Sequence, residues 1–144
     1  MAEALHFRYE VDGANFTAAG EASIQVKKTL RQLGFPPETV RQVSIAMYEG
    51  EINMVIHAHG GVAEVEIAPD RIGLVLTDHG PGIKDIALAM QEGYSTAPDN
   101  IRALGFGAGM GLPNMKRYTD EMSIESEVGK GTTVRMTVKV GAAG

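Results

Sequence analysis

The stretch Gly105–Gly111 has the sequence GFGAGMG and is followed at once by LPNMKR at residues 112–117. Glycine recurs at every second position, and each glycine costs about 0.5–1 kcal/mol relative to alanine inside a helix or strand. The stretch is therefore predicted to be a loop. Pro113 suits the first turn of a helix, so the loop should lead into one. Amides at such a helix start favour a phosphate, but a linker or a glycine-rich hairpin would equally explain the stretch.

Length and composition limit the classes of protein that fit. The chain has 144 residues, which predicts a single domain over residues 1–144 with one core. Lys and Arg are outnumbered by Asp and Glu, giving a net charge of -5, and no basic cluster alternates with aromatic residues, so a nucleic-acid surface is not expected. The absence of cysteine excludes disulfides and thiol nucleophiles. No apolar run approaches the ~20 residues of a membrane span, and a cytoplasmic location is expected.

Hydrophobic periodicity predicts the elements on either side of the glycine run. Strands alternate apolar and polar residues, whereas helices repeat apolar residues at three- and four-residue spacing. The predicted strands are 6–11, 62–68, 71–77, 122–128 and 132–140, and the predicted helices are 16–33, 38–59, 84–91 and 112–118.

The second predicted helix carries Glu49, Glu51 and Asn53. Glu49 and Asn53 are four residues apart and share a helical face, whereas Glu51 points elsewhere. Polar groups beside an apolar stripe need partners. One interpretation leaves Glu49 at the solvent boundary and Asn53 bonded to a neighbouring loop. The other makes them a general base and a magnesium ligand, the two roles that phosphoryl transfer requires.

A carboxylate ends the dense apolar strand at residues 71–77. Asp78 is followed by a tight turn that contains Gly80, Pro81 and Gly82. Such a position suits a ligand contact, and it equally suits a solvated turn that begins with an Asx side-chain bond. Two familiar nucleotide motifs fail, since neither the P-loop spacing nor G-x-G-x-x-G fits any glycines of the chain.

Four motifs in this order resemble the Bergerat-type ATP-binding domain shared by gyrase, Hsp90, histidine kinases and MutL. They are Glu49-x-x-x-Asn53, Asp78-x-Gly80-x-Gly82, Gly107-x-Gly109-x-Gly111-Leu112 and Gly131-Thr132-Thr133. The chain is most similar to the bacterial partner-switching serine kinases of the RsbW/RsbT type. The resemblance implies an α+β fold, a two-layer α/β sandwich in which helices pack on one face of a mixed, mostly antiparallel sheet.

The resemblance also implies a role for each matching residue, with ATP and Mg²⁺ as cofactors. Glu49 would be the base toward a serine hydroxyl, and Asn53 would hold Mg²⁺ on the phosphates. Asp78 would accept from the adenine amino group, with Gly80 and Gly82 shaping its turn. The phosphates would lie against the glycine loop and the start of the next helix. That group comprises Gly105, Gly107, Gly109, Gly111 and Leu112, with Lys116 reaching the γ-phosphate and Thr133 contacting the nucleotide from the sheet.

The sequence departs from the family at Pro98–Leu104, which is inserted before the glycine loop. The insertion would lengthen a lid hinged between Ser95 and Leu104. Gly50, inside the second helix, costs about 1 kcal/mol relative to alanine, and nothing in the sequence explains it.

Two function classes follow from the resemblance. The first is an ATP-dependent protein kinase whose partner is a small antagonist protein carrying the target serine. The second is a binding module, in which nucleotide sets the affinity for a sigma factor, a phosphatase or another target. Glu49 favours the first class, because nucleotide sensing alone needs no base. Homodimerisation stays open.

Overall fold

The computed structural model describes residues 4–12, 20–58, 60–83, 90 and 111–140. Five strands form one sheet in the order β1-β2-β3-β5-β4, and every described pairing is antiparallel. The strands are β1 (Leu5–Asp12), β2 (Gly60–Ala68), β3 (Arg71–Asp78), β4 (Glu121–Glu127) and β5 (Gly131–Lys139). The helices are α1 (Glu21–Gln32), α2 (Pro37–Ala58) and α3 (Gly111–Arg117).

The three helices pack on one face of the sheet. Alternation along the strands creates that face, because successive side chains of a strand point to opposite sides. Ile72, Leu74 and Leu76 of β3 are buried under the helices, and so are the alternate residues Val134, Met136 and Val138 of β5. The opposite face carries charged pairs such as Arg135 with Glu125, 3.1 Å apart and exposed.

The predicted α+β sandwich is confirmed, with a sheet that is antiparallel throughout its described pairings. The described strands and the helices α2 and α3 begin and end within two residues of their predicted limits. The predicted helix at 84–91, the lid hinge at 95–104 and the glycines of 105–110 lie outside the described residues, apart from Met90. Within the described residues, no helix is long and apolar enough to cross a membrane.

Gly50 allows α2 to lie close to the sheet. A Cβ at this position would lie 2.5 Å from Cδ2 of Leu76 and 3.4 Å from the sulfur of Met115. Leu76 belongs to β3 and Met115 to α3, so three elements meet at Gly50, the residue of α2 that has no side chain. This close approach explains a glycine that helix propensity alone disfavours.

Glu51 anchors the start of α1. Its buried carboxylate accepts hydrogen bonds from the amides of Gly20 at 2.8 Å, Ala22 at 3.2 Å and Ser23 at 3.0 Å. The first amides of a helix have no partner within it, and Gly20 has no side chain that could cap them. The Glu51 carboxylate of α2 therefore caps the start of α1 in place of a local side chain. Its negative charge also complements the positive end of the helix dipole.

Candidate active site

Two carboxylates of α2, on either side of Gly50, have different environments. Glu51 is buried against the start of α1, as described above. Glu49 is half-buried on another side of the helix, and desolvation raises the pKa of its carboxyl group above the ordinary value. A hydrogen bond from the side chain of Asn114 acts in the opposite direction and lowers this pKa. Burial and this hydrogen bond therefore act in opposite directions on the pKa of Glu49, and burial has the larger effect.

Asn114 lies in α3, which begins at Gly111, the last glycine of the run. Its neighbour Met115 is fully buried and lies against Gly50, the residue next to Glu49. The close packing at Gly50 thus brings Asn114 to the carboxylate of Glu49. A cation–π contact joins α2 to the residue that follows α3, with Arg41 positioned 5.3 Å from the centre of the Tyr118 ring.

Asn53 is half-buried one turn beyond Glu49, and its neighbour Met54 lies near the end of β3. The surroundings of Gly61 show how close α2 comes to the end of β3. A Cβ on Gly61 would lie 2.9 Å from the sulfur of Met54 and 3.2 Å from Cα of Asp78. The turn of α2 that carries Asn53 therefore packs beside the strand end that carries Asp78.

Asp78 is half-buried at the end of β3, and one of its oxygens is already engaged. Oδ1 accepts the amide of Gly80 at 3.0 Å, which forms an Asx turn, and the amide of Thr132 at 3.1 Å. Oδ2 takes part in neither bond. Asp78 can thus begin an Asx turn and contact a ligand at the same time, because the turn uses one carboxylate oxygen and a ligand would use the other.

Glycines bring the neighbouring backbone close to Asp78. Gly131 has φ 130°, and a Cβ there would collide with the carbonyl oxygen of Asp78. Gly82 has φ 80°, and a Cβ there would collide with the carbonyl oxygen of Glu127. The amide of Gly129 donates to the carbonyl of Pro81 at 2.8 Å. The turn after Asp78 is therefore held against the β4–β5 hairpin.

The strand register distinguishes Thr132 from Thr133. Asp78 pairs with Thr132, and Thr77 pairs with Thr133. Residues directly opposite each other in a ladder share a face, and the next residue along the strand points to the other side. Thr132 is thus buried on the helix side beside Asp78, whereas Thr133 faces the opposite side of the sheet. The structure therefore places Thr132, and not Thr133, on the face of the sheet that carries Asp78.

Lys116 lies on a different face of α3 from Asn114. Lys116 is exposed and lies two residues after Asn114 on α3, which is about 200° around the helix. The face of α3 that meets Glu49 is therefore not the face that carries Lys116. Leu112 is 7% exposed and contributes to the hydrophobic core. Gly105, Gly107 and Gly109 lie outside the described residues, and Gly111 begins α3.

The oxygen-bearing side chains of Asn53 and Asp78 suit magnesium bound together with a nucleotide better than a metal ion held by protein groups alone. The described residues include no group of three or more His, Cys, Asp or Glu that could hold a metal ion. Asn53 would supply one oxygen ligand, and magnesium bound by few protein groups takes its other ligands from phosphates and water. Asp78 presents a carboxylate oxygen at the end of its strand, which suits a hydrogen-bond donor such as an amino group.

Comparison with known proteins defines the class. Residues 14–138 match the Histidine kinase-like ATPase domain, and the chain belongs to this family. The resemblance drawn from the four motifs is confirmed at this level.

Two proteins of similar sequence and one solved structure show what the chain resembles within this family. The chain is 32% identical over 139 residues to an anti-sigma F factor of Pasteuria penetrans, and this match covers 89% of each chain. It is 32% identical over 113 residues to the serine/threonine-protein kinase RsbT of Bacillus subtilis, covering 76% of this chain and 79% of RsbT. A crystal structure of the RsbU and RsbW domains of Rv1364c from Mycobacterium tuberculosis shares the fold, with a TM-score of 0.63 at 17% identity. That match covers 94% of this chain and 32% of the other.

Asn114 and Thr132 are the two candidate site residues that the sequence analysis did not assign. The signal for Thr132 was present in its motif, but two adjacent threonines left the choice to the strand register. No local pattern marks Asn114, because its partner Glu49 is 65 residues away in the chain.

Proposed function

We propose that this chain is an ATP- and Mg²⁺-dependent serine/threonine-protein kinase of a bacterial partner-switching system, acting on a serine of a small antagonist protein. The observation that carries the proposal is Glu49, a half-buried carboxylate whose pKa is raised by desolvation. A general base works best when its pKa is moved toward the working pH. A module that only bound nucleotide would have no need for such a group.

Each residue has a role in this proposal. Glu49 accepts the proton of the attacking serine hydroxyl or orients that hydroxyl. Asn53 holds Mg²⁺, which when bound neutralises charge on the phosphates. Asp78 accepts a hydrogen bond from the adenine amino group. The glycines at 107, 109 and 111 contact the phosphates. Positioning and charge neutralisation provide most of the acceleration in phosphoryl transfer, so this small set of groups suffices.

The second candidate function is an ATP-binding regulator, such as an anti-sigma factor, with little turnover. The similarity to a protein named anti-sigma F factor, which extends over 89% of each chain, favours it. The two candidates share the nucleotide site and differ in whether the γ-phosphate is transferred. Glu49 separates them experimentally.

The test is transfer of label from γ-labelled ATP, with Mg²⁺, to the small antagonist protein encoded beside this chain. Wild type should label the antagonist, and Glu49→Gln should abolish labelling while its affinity for ATP, measured by calorimetry, is retained. Glu38→Gln is the matched control, because Glu38 is an exposed carboxylate in the first turn of the same helix.

The outcomes separate the two candidate functions. Label on the antagonist that depends on Glu49 supports the kinase. Tight ATP binding by wild type without any label on the antagonist contradicts the kinase and supports the binding regulator. Labelling that survives Glu49→Gln would remove Glu49 from the catalytic role.

A further inference from the structure

Two large apolar side chains are open to solvent at the first turn of α1. Ile24 of α1 is 54% exposed, and Tyr48 of α2 is 40% exposed. The amide of Ile24 donates to the carbonyl of Gly20 at 3.0 Å. The Tyr48 ring lies against the same glycine, because a Cβ on Gly20 would be 3.0 Å from its Cε1. Ile24 and Tyr48 therefore border one turn of helix, and neither is covered by the described residues.

Three cations continue this surface along α1. At about 100° per residue, Lys27, Lys28 and Arg31 fall within the same third of the helix circumference as Ile24. This side faces away from the buried residues of the helix, and Lys28 and Arg31 are fully exposed. Among the described residues none of the three cations has an ion-pair partner, whereas Arg135 on the sheet pairs with a glutamate.

The helix dipole accounts for only part of this charge. A cation in the last turn of a helix complements the negative end of the dipole, and Arg31 lies in that turn. Lys27 and Lys28 lie further from the end, where the effect has fallen off. The whole chain has a net charge of -5, so a face with three unpaired cations reverses the overall charge locally. Apolar side chains next to charged ones are typical of a protein–protein interface.

The surface ends beside the proposed base. Tyr48 directly precedes Glu49 on α2, so the two side chains leave the helix about 100° apart, on neighbouring sides. Glu49 is half-buried, so one part of its side chain is accessible from solvent. A protein that covered Ile24 and Tyr48 would therefore extend to Glu49, where the attacking serine hydroxyl has to lie in the proposed function.

We infer that Ile24, Lys27, Lys28, Arg31 and Tyr48 form the docking surface for the antagonist protein, and that this partner presents an acidic face. The inference rests on the proposed function, in which a serine of the antagonist reaches Glu49. Carboxylates on the partner would complement the three cations, which accelerates encounter and selects the partner. The isoleucine and the tyrosine supply the apolar contact that such an interface needs at its centre.

The charge of the docking surface is tested by combining Lys28→Glu with Arg31→Glu. Affinity for the antagonist encoded beside this chain, measured by calorimetry, should fall about tenfold or more. The KM for the antagonist should rise to the same extent, while kcat and the affinity for ATP stay unchanged. The matched control combines Arg71→Glu with Lys139→Glu. These exposed residues are paired across β3 and β5 on the opposite face of the sheet, so the same charge change should leave antagonist binding intact.

The apolar part of the docking surface is tested without any change of charge. Ile24→Ala should weaken antagonist binding about fivefold, the effect of truncating a central interface residue. Leu5→Ala is the control, because Leu5 is 44% exposed at the start of β1. Wild-type affinity for the antagonist should fall as salt is raised, and the fall should be smaller in the doubly substituted variant.

The outcomes separate this inference from the proposed function. Equal affinity of wild type and the Lys28→Glu, Arg31→Glu variant for the antagonist would overturn the docking surface, even if the antagonist is labelled. Wild-type binding to phosphatidylglycerol vesicles that the variant loses, with antagonist binding unchanged, would also overturn it and assign the cations to a membrane surface. Antagonist binding that depends on these cations, without transfer of label, would support the docking surface and contradict the kinase.

Discussion

The side chain of Asn114 donates a hydrogen bond to the carboxylate of Glu49, so the helix that follows the glycine run contacts the proposed base directly. The bond stabilises the ionised carboxylate and lowers its pKa, while desolvation, the larger effect, raises it. The pKa of Glu49 thus depends on the position of α3.

Replacing Asn114 should therefore change the pH dependence of the protein. Glu49 acts as a base only when deprotonated, so activity should fall as pH falls through its pKa. Asn114→Ala removes the bond that lowers this pKa, and the acidic limb of the phosphotransfer profile should move to higher pH. A carbon NMR titration of labelled glutamate would follow the same shift without any substrate.

The direction of the shift is the decisive part of this prediction. A purely structural role for Asn114 would lower the rate at every pH without moving the limb. An unchanged titration of Glu49 in Asn114→Ala would contradict the coupling between the two residues.

Glu51 should be needed for stability and not for chemistry. Glu51→Gln replaces a carboxylate that accepts three amides with a neutral group that has one acceptor oxygen. Hydrogen bonds to charged groups contribute about 1.5–3 kcal/mol each, so we expect about 2 kcal/mol less stability in urea unfolding. Glu64→Gln, at an exposed position of β2, should have almost no effect. Full stability in Glu51→Gln would contradict the anchoring role at the start of α1.

Gly50→Ala should destabilise the protein although alanine is the better helix former. A methyl group 2.5 Å from Leu76 forces the core to shift, which costs about 1–3 kcal/mol, and the gain in helix propensity offsets only about 1 kcal/mol. Gly73→Ala is the matched control, because a Cβ there makes an ordinary contact at 3.8 Å. A Gly50→Ala variant with raised stability would show that the close approach of α2 to the sheet is unimportant.

The fold could be predicted from the sequence because its strands and helices have clear periodicities. Alternation at Ile72, Leu74 and Leu76 is a local signal, and a buried face follows from it directly. The register in which two strands pair cannot be predicted from a local pattern, because it depends on residues that are far apart in the chain. The adjacent Thr132 and Thr133 show this limit, since a shift by one residue moves a side chain to the other face.

Long-range contacts explain the remaining differences. Glu51 bonds to amides about 30 residues away, and Asn114 bonds to a carboxylate on another helix. Neither partner could be found by spacing along the chain. The sequence analysis began this helix at residue 16, so the start after Gly20, which has no capping side chain, could be seen only in the structure. The close contacts of Gly50 likewise depend on three elements meeting in space.

The central claim is an adenine-nucleotide site at the end of β3, and calorimetric titration of ATP into wild type and Asp78→Asn tests it most directly. Asparagine keeps an oxygen for the amides of Gly80 and Thr132, so the variant should fold normally. Its amide nitrogen would meet the adenine amino group donor to donor, and affinity should fall by about 100-fold. An unchanged affinity for ATP in folded Asp78→Asn would contradict the assignment of the site.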